Sequence, residues 1–495
     1  MPVTDVNSYV SEFERFDEAH GASSPSWLRA MRQKAMTRFT SLGFPTTRQE
    51  EWRFTSVAPI AERVFRLSVD GGEGLRKEHL KPFRFATSDV LEIVLVNGRF
   101  APQLSAIGQL PAGVLVRSLA DVLSRDPGRV AAHLARHADF ETQPFAALNT
   151  AFLSDGAVIE IAPNAVIGPP VHVIFVSVSA GESSHPRVLV LAGRNSQVRL
   201  VESYVGLEPG RSKLRPYDFE MPGRGRARPH GPRAEEGEAH SAIFTNAVTE
   251  IVLDDGAVVD HCRVQREATA DAFHISTTQL HLSHSSAFTS HAFTFGGAIV
   301  RNDVNVLFAG EGGDCTLNGL YLADGSRLVD THTVIDHARA HCGSHEFYKG
   351  ILGGRARAVF NGKILVRPDA QKTDAKQTNK TLLLSDDAQI NTKPQLEIFA
   401  NDVKCTHGAT VGQLSADALF YAQSRGIDRR AAMEMLIHAF AADITGRVRI
   451  DALREHLDRV LVEALATDSL AVNPAEAGSR EAAFPGVRGV TGVRT

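Results

Sequence analysis

Cysteine is scarce in this chain. Four residues (Cys262, Cys315, Cys342 and Cys405) are scattered through 495 positions, which excludes a disulfide framework and suits a reducing compartment. Long hydrophobic runs are missing too. No stretch approaches the roughly 18 apolar residues that a membrane span requires. The chain opens Met1-Pro-Val-Thr-Asp with no apolar stretch behind it, so no secretory signal is expected and the expected location is cytoplasmic. Nor is there an excess of one charge. Fifty-three Lys and Arg face 57 Asp and Glu, a net of −4, and give no bulk drive toward nucleic acid or an anionic membrane. The sequence holds no G-x-x-x-x-G-K-[ST] phosphate loop; Asn361-Gly362-Lys363-Ile364 lacks both the upstream glycine and the hydroxyl residue. G-x-S-x-G, H-E-x-x-H and C-x-x-C are absent as well. That removes the nucleophile elbow, the zinc protease helix and the dithiol redox motif.

What is present is 43% hydrophobic and 22% charged, a globular composition long enough for more than one substructure. Residues 1–85 read as a helical region. Trp27, Met31, Met36 and Phe39 fall near helical spacing, Ser24-Pro25-Ser26 offers a start, and Gly43 and Pro45 a stop. Trp52 and Phe54 are expected as core anchors. Residues 86–160 form a connecting α/β region, with a strand and an Asn-Gly turn in LEIVLVNGRF (Leu91–Phe100). From there to residue 414, short apolar strands alternate with turns of Asp, Gly, Asn and Ser. Aligned on Gly256, Ser286, Asp314, Arg355 and Asp387, these turns recur at steps of 30, 28, 41 and 32, and the 41 divides at Ser326 into 12 and 29. Helical patterns are nearly absent from Gly168 to Ile398. Strand after strand without crossover helices predicts a solenoid whose coils stack, a right-handed parallel β-helix over 161–414; a large antiparallel sandwich is the alternative. An insertion at 206–240, rich in Gly, Pro and Arg, is expected to be a flexible loop, and 468–495 a disordered tail.

Past Leu414 the period becomes helical. Ser415 and Asp428 are predicted caps, Gly426 a stop, and the apolar stripes through Ile437, Ile444, Leu453, Leu457 and Leu461 are expected to pack on the end of the solenoid (415–467). Where strand gives way to helix lies a close Cys/His pair, Cys405 and His407. In an extended segment they share a face. Thiolate and imidazole suit iron, zinc or copper, and Lys404 beside Cys405 is expected to favour the thiolate. Two donors do not close a metal site. A small buried cysteine beside a hydrogen-bonded histidine is the other reading of the same pair. The nine histidines between His261 and His345 also suggest a metal-binding face, although the four-residue spacing of His337, His341 and His345 does not make strand side chains converge.

The segment KPQLEIFANDVKCTHGATVGQL, followed by ALFYAQSRGI (Ala418–Ile427), closely resembles the carboxy-terminal signature of the SufB/SufD family, the scaffold proteins of the SUF iron–sulfur cluster assembly machinery. Gly43-Phe44-Pro45 and Glu50-Glu51-Trp52-Arg53-Phe54-Thr55 resemble the family's amino-terminal pattern. The terminal helices are more similar to SufD than to SufB, whose acidic, Tyr- and Asn-bearing ending is missing. The resemblance implies the β-helix fold and a non-catalytic subunit of a SufB–SufC–SufD complex, with a homodimer possible in isolation. It implies a SufC-type ABC ATPase docked on the terminal helices, with Phe420, Tyr421, Met435 and Phe440 as partner-binding residues. It also implies a transient iron or iron–sulfur cluster site at the SufB interface, with His407 and then Cys405 as ligands. The competing functions are a SufB-like scaffold that binds the cluster by itself and a carbohydrate-active β-helix enzyme. The latter needs grouped carboxylates that the sequence does not display.

Overall fold

A computed structural model of the chain describes residues 6–465, apart from 69–71, 73, 86–88, 179, 208–241 and 268–270. The expected loop at 206–240, save its first two residues, and the expected tail at 468–495 lie outside the described residues. Two long sheets form a β-solenoid of about eight turns, each turn giving one strand to each sheet. The first sheet runs in space from Val114–Ser118 through Gly156–Ile161, Arg187–Ala192 and Ile243–Leu253 to Leu328–His337, Arg357–Val366 and finally Gln389–Ile398. The second runs from Leu91–Val96 through Val171–Ser177 and Gln197–Gly206 to Gly343–Leu352, Asp374–Leu383 and finally Lys404–Gly412. The sheets already take in Leu91–Val96 and Gly156–Ile161, which the sequence pattern assigns to the connecting region. Asn97 and Gly98 turn left-handed (φ 49° and 81°) to close the hairpin onto Arg99–Phe100, as the Asn-Gly pair predicts.

In-register pairing of Val258, Ala287, Asp314, Gly343, Asp374 and Lys404 gives coils of 29, 27, 29, 31 and 30 residues. The irregular step of 41 in the sequence therefore vanishes. Asp314 opens a second-sheet strand, whereas Ser326 and Arg355 precede first-sheet strands, so that step joined one row of turns to the other. One row forms a ladder of its own. Asn195, Gly256, Ser285, Gly312, His341 and Lys372 all adopt positive φ. Each donates its N–H to a carbonyl one coil further on, Asp255, His284, Glu311, Ala340, Gln371 and Asp402 in turn. A left-handed side chain costs roughly 1–2 kcal/mol, and stacking the turns satisfies the backbone groups that the bends would otherwise leave unpaired.

The outer face of the first sheet is covered by the amino-terminal elements. Helices Val6–His20, Ser26–Leu42 and Pro144–Ala151 bury Tyr9, Phe13, Phe39, Phe145 and Phe152 against Phe244, Phe273, Ile299 and Leu328. Gly43 ends the second helix left-handed (φ 66°), its N–H on the Phe39 carbonyl at 2.8 Å. Trp52 is buried as expected, with the Arg301 guanidinium 3.7 Å from its ring centroid, but Phe54 is exposed. Of the carboxy-terminal helices Ala416–Ser424, Arg429–Thr445 and Asp451–Leu465, the first two start on the predicted caps, Ser415 accepting from the Ala418 N–H and Asp428 from that of Ala431. They do not cap the end of the solenoid. Ile437, Ala441, Ile444, Leu453, Leu457 and Leu461 lie on the outer face of the second sheet, against Val264, Phe293, Leu320, Ile351 and Leu382. The apolar stripe covers that broad face, and the last coil is left open. Among the described residues no helix is long and apolar enough to cross a membrane.

Candidate functional site

The site is built by the last coil. Strands Gln389–Ile398 and Lys404–Gly412 terminate the two sheets, so one edge of each carries backbone groups with no neighbouring strand among the described residues. Nearly every residue of Lys404–Gly412 is exposed. Its inward positions continue columns that run down the lumen: Cys405 stacks on Ala375, His407 on Gln377, Ala409 on Asn379 and Val411 on Thr381. Cys405 and His407 therefore share a face, as their spacing predicts, and open toward the end of the solenoid.

Their surroundings differ. Cys405 is half-buried against Ile364, Val366, Ala375 and Ala400. Burial raises its thiol pKa and nearby Asp374 adds to the rise, against the Ala375 backbone group, which lowers it. This overturns the expectation that Lys404 favours the thiolate: adjacent strand residues point to opposite faces. His407 is exposed. Among the described residues no group of three or more His, Cys, Asp or Glu is placed to hold a metal ion. Cys405 and His407 place one thiol and one imidazole side by side at the open end of the solenoid, two donor types that suit iron chemistry but do not by themselves close a metal site.

The other histidines do not form a metal-binding face. His261 and His274 are buried in the lumen, and His337 is buried with its Nε2 against Ser344 Oγ at 2.9 Å. His341 sits in a left-handed turn. His281 packs outside beside His137, ring centroids 5.3 Å apart. His332 binds the amino-terminal turn Glu50–Trp52 to the first sheet, with Nε2 3.0 Å from Asp330 Oδ1 and Nδ1 3.2 Å from Glu51 Oε2. Arg301 Nη1 reaches Asp330 Oδ2 at 2.7 Å and the Glu51 carbonyl at 2.8 Å, and Thr55 Oγ1 donates to Asp330 Oδ2 at 2.6 Å. Burial opposes charge on His332, but the Asp330 carboxylate prevails and, with hydrogen bonds to Asp330 and Glu51, carries its pKa up to about 9 against Arg301.

The four partner-binding candidates divide. Phe420, Tyr421 and Met435 project from the helices and are 73%, 61% and 48% exposed. Phe440 turns inward: its ring packs on the second-sheet cluster with Lys349 Nζ 4.2 Å from its centroid. The same ammonium donates to the Phe440 carbonyl at 2.7 Å and pairs with Asp443. Lys349 thus pins helix Arg429–Thr445 to the sheet. Its role depends on a helix lying 91 residues further along the chain, and nothing in the local pattern of its strand announces it.

Taken together, the fold and the site define a solenoid scaffold that presents donor atoms at an open, strand-edged end and carries a separate helical surface on its flank. Residues 233–440 match the SufBD core domain of SUF-system FeS cluster assembly, and residues 4–173 the SufBD protein amino-terminal region. An iron–sulfur cluster assembly SufBD family protein of Synechocystis is 32% identical over 86% of this chain and 88% of its own length. The iron–sulfur cluster assembly protein SufD of Escherichia coli is 28% identical over 86% and 90%, and SufD of Bacillus subtilis 23% over 90% and 95%. The chain belongs to the SufBD family of iron–sulfur cluster assembly proteins and is SufD-like. Membership of that family implies work within an assembly complex.

Proposed function

We propose that this chain is the SufD-type subunit of a SufB–SufC–SufD complex, and that its open end pairs with the end of a SufB-type solenoid. The observation that carries the reading is the last coil: both sheets end on free edges there, and Cys405 and His407 open onto them. Exposed strand edges recruit further strands, and an interface between two solenoids closes a site of which each supplies part. Iron, or the nascent cluster, is the cargo at that junction. Iron–sulfur sites take cysteine thiolates and accept histidine in their place. Binding through Cys405 releases the proton that burial holds on its sulfur, while exposed His407 offers a ring nitrogen without prior unfolding. With no phosphate loop in the sequence, ATP hydrolysis falls to a SufC-type ABC ATPase docked on the surface of Phe420, Tyr421 and Met435.

The test is co-expression with SufB- and SufC-type partners, purification, and iron and sulfide counting after anaerobic loading. His407→Ala is expected to co-purify at wild-type stoichiometry and to load several-fold less; Cys405→Ala is expected to load less than wild type but more than His407→Ala. Wild-type loading in both variants rules out a ligand role for the pair.

A further inference from the structure

His407 stands on a column of polar side chains inside the lumen. Register places Glu346, Gln377 and His407 at one inward position of three successive coils. Parallel in-register strands lie about 4.8 Å apart, so the polar tips of such a column are within reach of one another. Gln377 and Glu346 are each only 2% exposed. Gln377 Nε2 donates to Glu346 Oε2 at 2.6 Å, which fixes the direction in which the amide faces. Gln377 Oε1 is then buried with no hydrogen-bond partner among the described residues. The amide reaches across the lumen to Gly362, where an added Cβ would come within 2.1 Å of Gln377 Nε2. A side chain at 362 would displace it. An unpaired buried carbonyl is costly and calls for a donor. Below, Glu346 is an acceptor, its Oε2 taken by the amide N–H and its Oε1 likewise without a partner among the described residues; above, in register, is the imidazole.

We propose that Gln377, braced by Glu346, is a positioning residue for His407: its Oε1 accepts one imidazole N–H and leaves the other ring nitrogen as a lone-pair donor facing the open end. A hydrogen bond to one ring nitrogen selects the tautomer and orients the ring, and ligating histidines characteristically have such a partner behind them. The purpose given to this contact rests on the reading of His407 as a ligand. The contact itself does not, and its test needs neither metal nor partner.

The isolated chain is labelled with ring-15N histidine, the His407 signals are assigned by their loss in His407→Gln, and the tautomer is read from the two ring-nitrogen shifts at a pH where the ring is neutral. Wild type is expected to show a single tautomer at His407, and Gln377→Met the two-tautomer average of a free histidine, with circular dichroism unchanged. A fixed tautomer in folded Gln377→Met overturns the proposal. If that variant fails to fold, the wild-type spectrum decides, because tautomer averaging at His407 in the native chain is equally fatal. Cluster loading of the assembled complex is measured separately. Full loading of His407→Ala removes the ligand reading and leaves the hydrogen-bond result standing.

Discussion

His407 and Cys405 differ by two residues and by an environment. The imidazole is exposed, so in His407→Ala water can take its place beside Gln377; the stability change is expected to be no more than about 1 kcal/mol, and a large loss of cluster loading cannot be charged to unfolding. Thermal unfolding and loading measured on the same preparation check this; a large fall in melting temperature would mean that the ring is packed in solution. His332 gives a pH-dependent counterpart. Its folded pKa, raised to about 9, lies above the ordinary value of about 6.5. The ion pair's contribution is therefore fully present below about pH 6.5 and is lost as pH rises through 9. The difference in melting temperature between wild type and His332→Gln should shrink across that window. On the acidic side it should correspond to about 1–3 kcal/mol, the Glu51 part being discounted because that carboxylate is solvent-exposed. A constant difference from pH 6 to 10 would show that His332 is neutral in the folded protein. At this scale the sequence is informative where strand parity decides. The shared face of Cys405 and His407 follows from their spacing alone. The supposed influence of Lys404 fails by the same rule, since its neighbour's side chain leaves on the other side of the sheet. Gln377 and Glu346 were within reach too: they precede His407 by one and two coils of 30 and 31 residues. Recognising them required the register that only the paired strands supply.

Elements were legible by type and by ends more than by destination. The caps at Ser415 and Asp428, the stop after Leu42 and the strand periodicity all arise from interactions within a few residues, which is why they can be read locally. An apolar stripe states only that something covers it. The stripes of Arg429–Thr445 and Asp451–Leu465 lie on the second-sheet face, whose own outward Val264, Phe293, Leu320, Ile351 and Leu382 demanded a cover. The consequence is experimental. Truncating the chain at Leu414 would bare that face, so loss of ATPase binding by the truncation would say little about docking. Point changes separate the two roles. Leu457→Ala, at a fully buried site, is expected to cost about 2–5 kcal/mol and to weaken partner binding only as folded protein is lost. The triple variant Phe420→Ser, Tyr421→Ser, Met435→Ser alters exposed side chains. It is expected to keep the wild-type melting temperature within a few degrees and to abolish capture of a SufC-type ATPase. Undiminished capture by the triple variant would move the docking surface elsewhere.

The whole molecule is asymmetric along its axis. At one end the antiparallel pairs Leu91–Val96 with Arg99–Phe100 and Val114–Ser118 with Gly156–Ile161 finish the sheets. At the other, nothing in the described chain follows the parallel edges of Gln389–Ile398 and Lys404–Gly412. A free parallel edge is a hazard that folded chains ordinarily blunt with charge, proline or a covering element. The edge strands do carry Lys393, Pro394, Glu397 and Lys404, but they are also rimmed by apolar side chains: Ile398, Phe399 and Val411 are all substantially exposed. Ile398 and Val411 occupy inward columns, above Val366 and Thr381, and stand bare because no coil stacks on them. A second solenoid end would supply that coil. Replacing the three by aspartate adds charge to positions already facing water, so the isolated chain should fold with its stability changed by about 1 kcal/mol or less. The same charges would be buried in an end-to-end assembly, where unpaired carboxylates are strongly unfavourable. Size-exclusion chromatography with light scattering is therefore expected to show the triple aspartate variant as a monomer that no longer joins a SufB-type partner, or a second copy of itself, while SufC-type binding through the flanking helices survives. If the variant assembles as wild type does, the free edges are not the interface, and Cys405 and His407 must meet their cargo without a partner's end across from them.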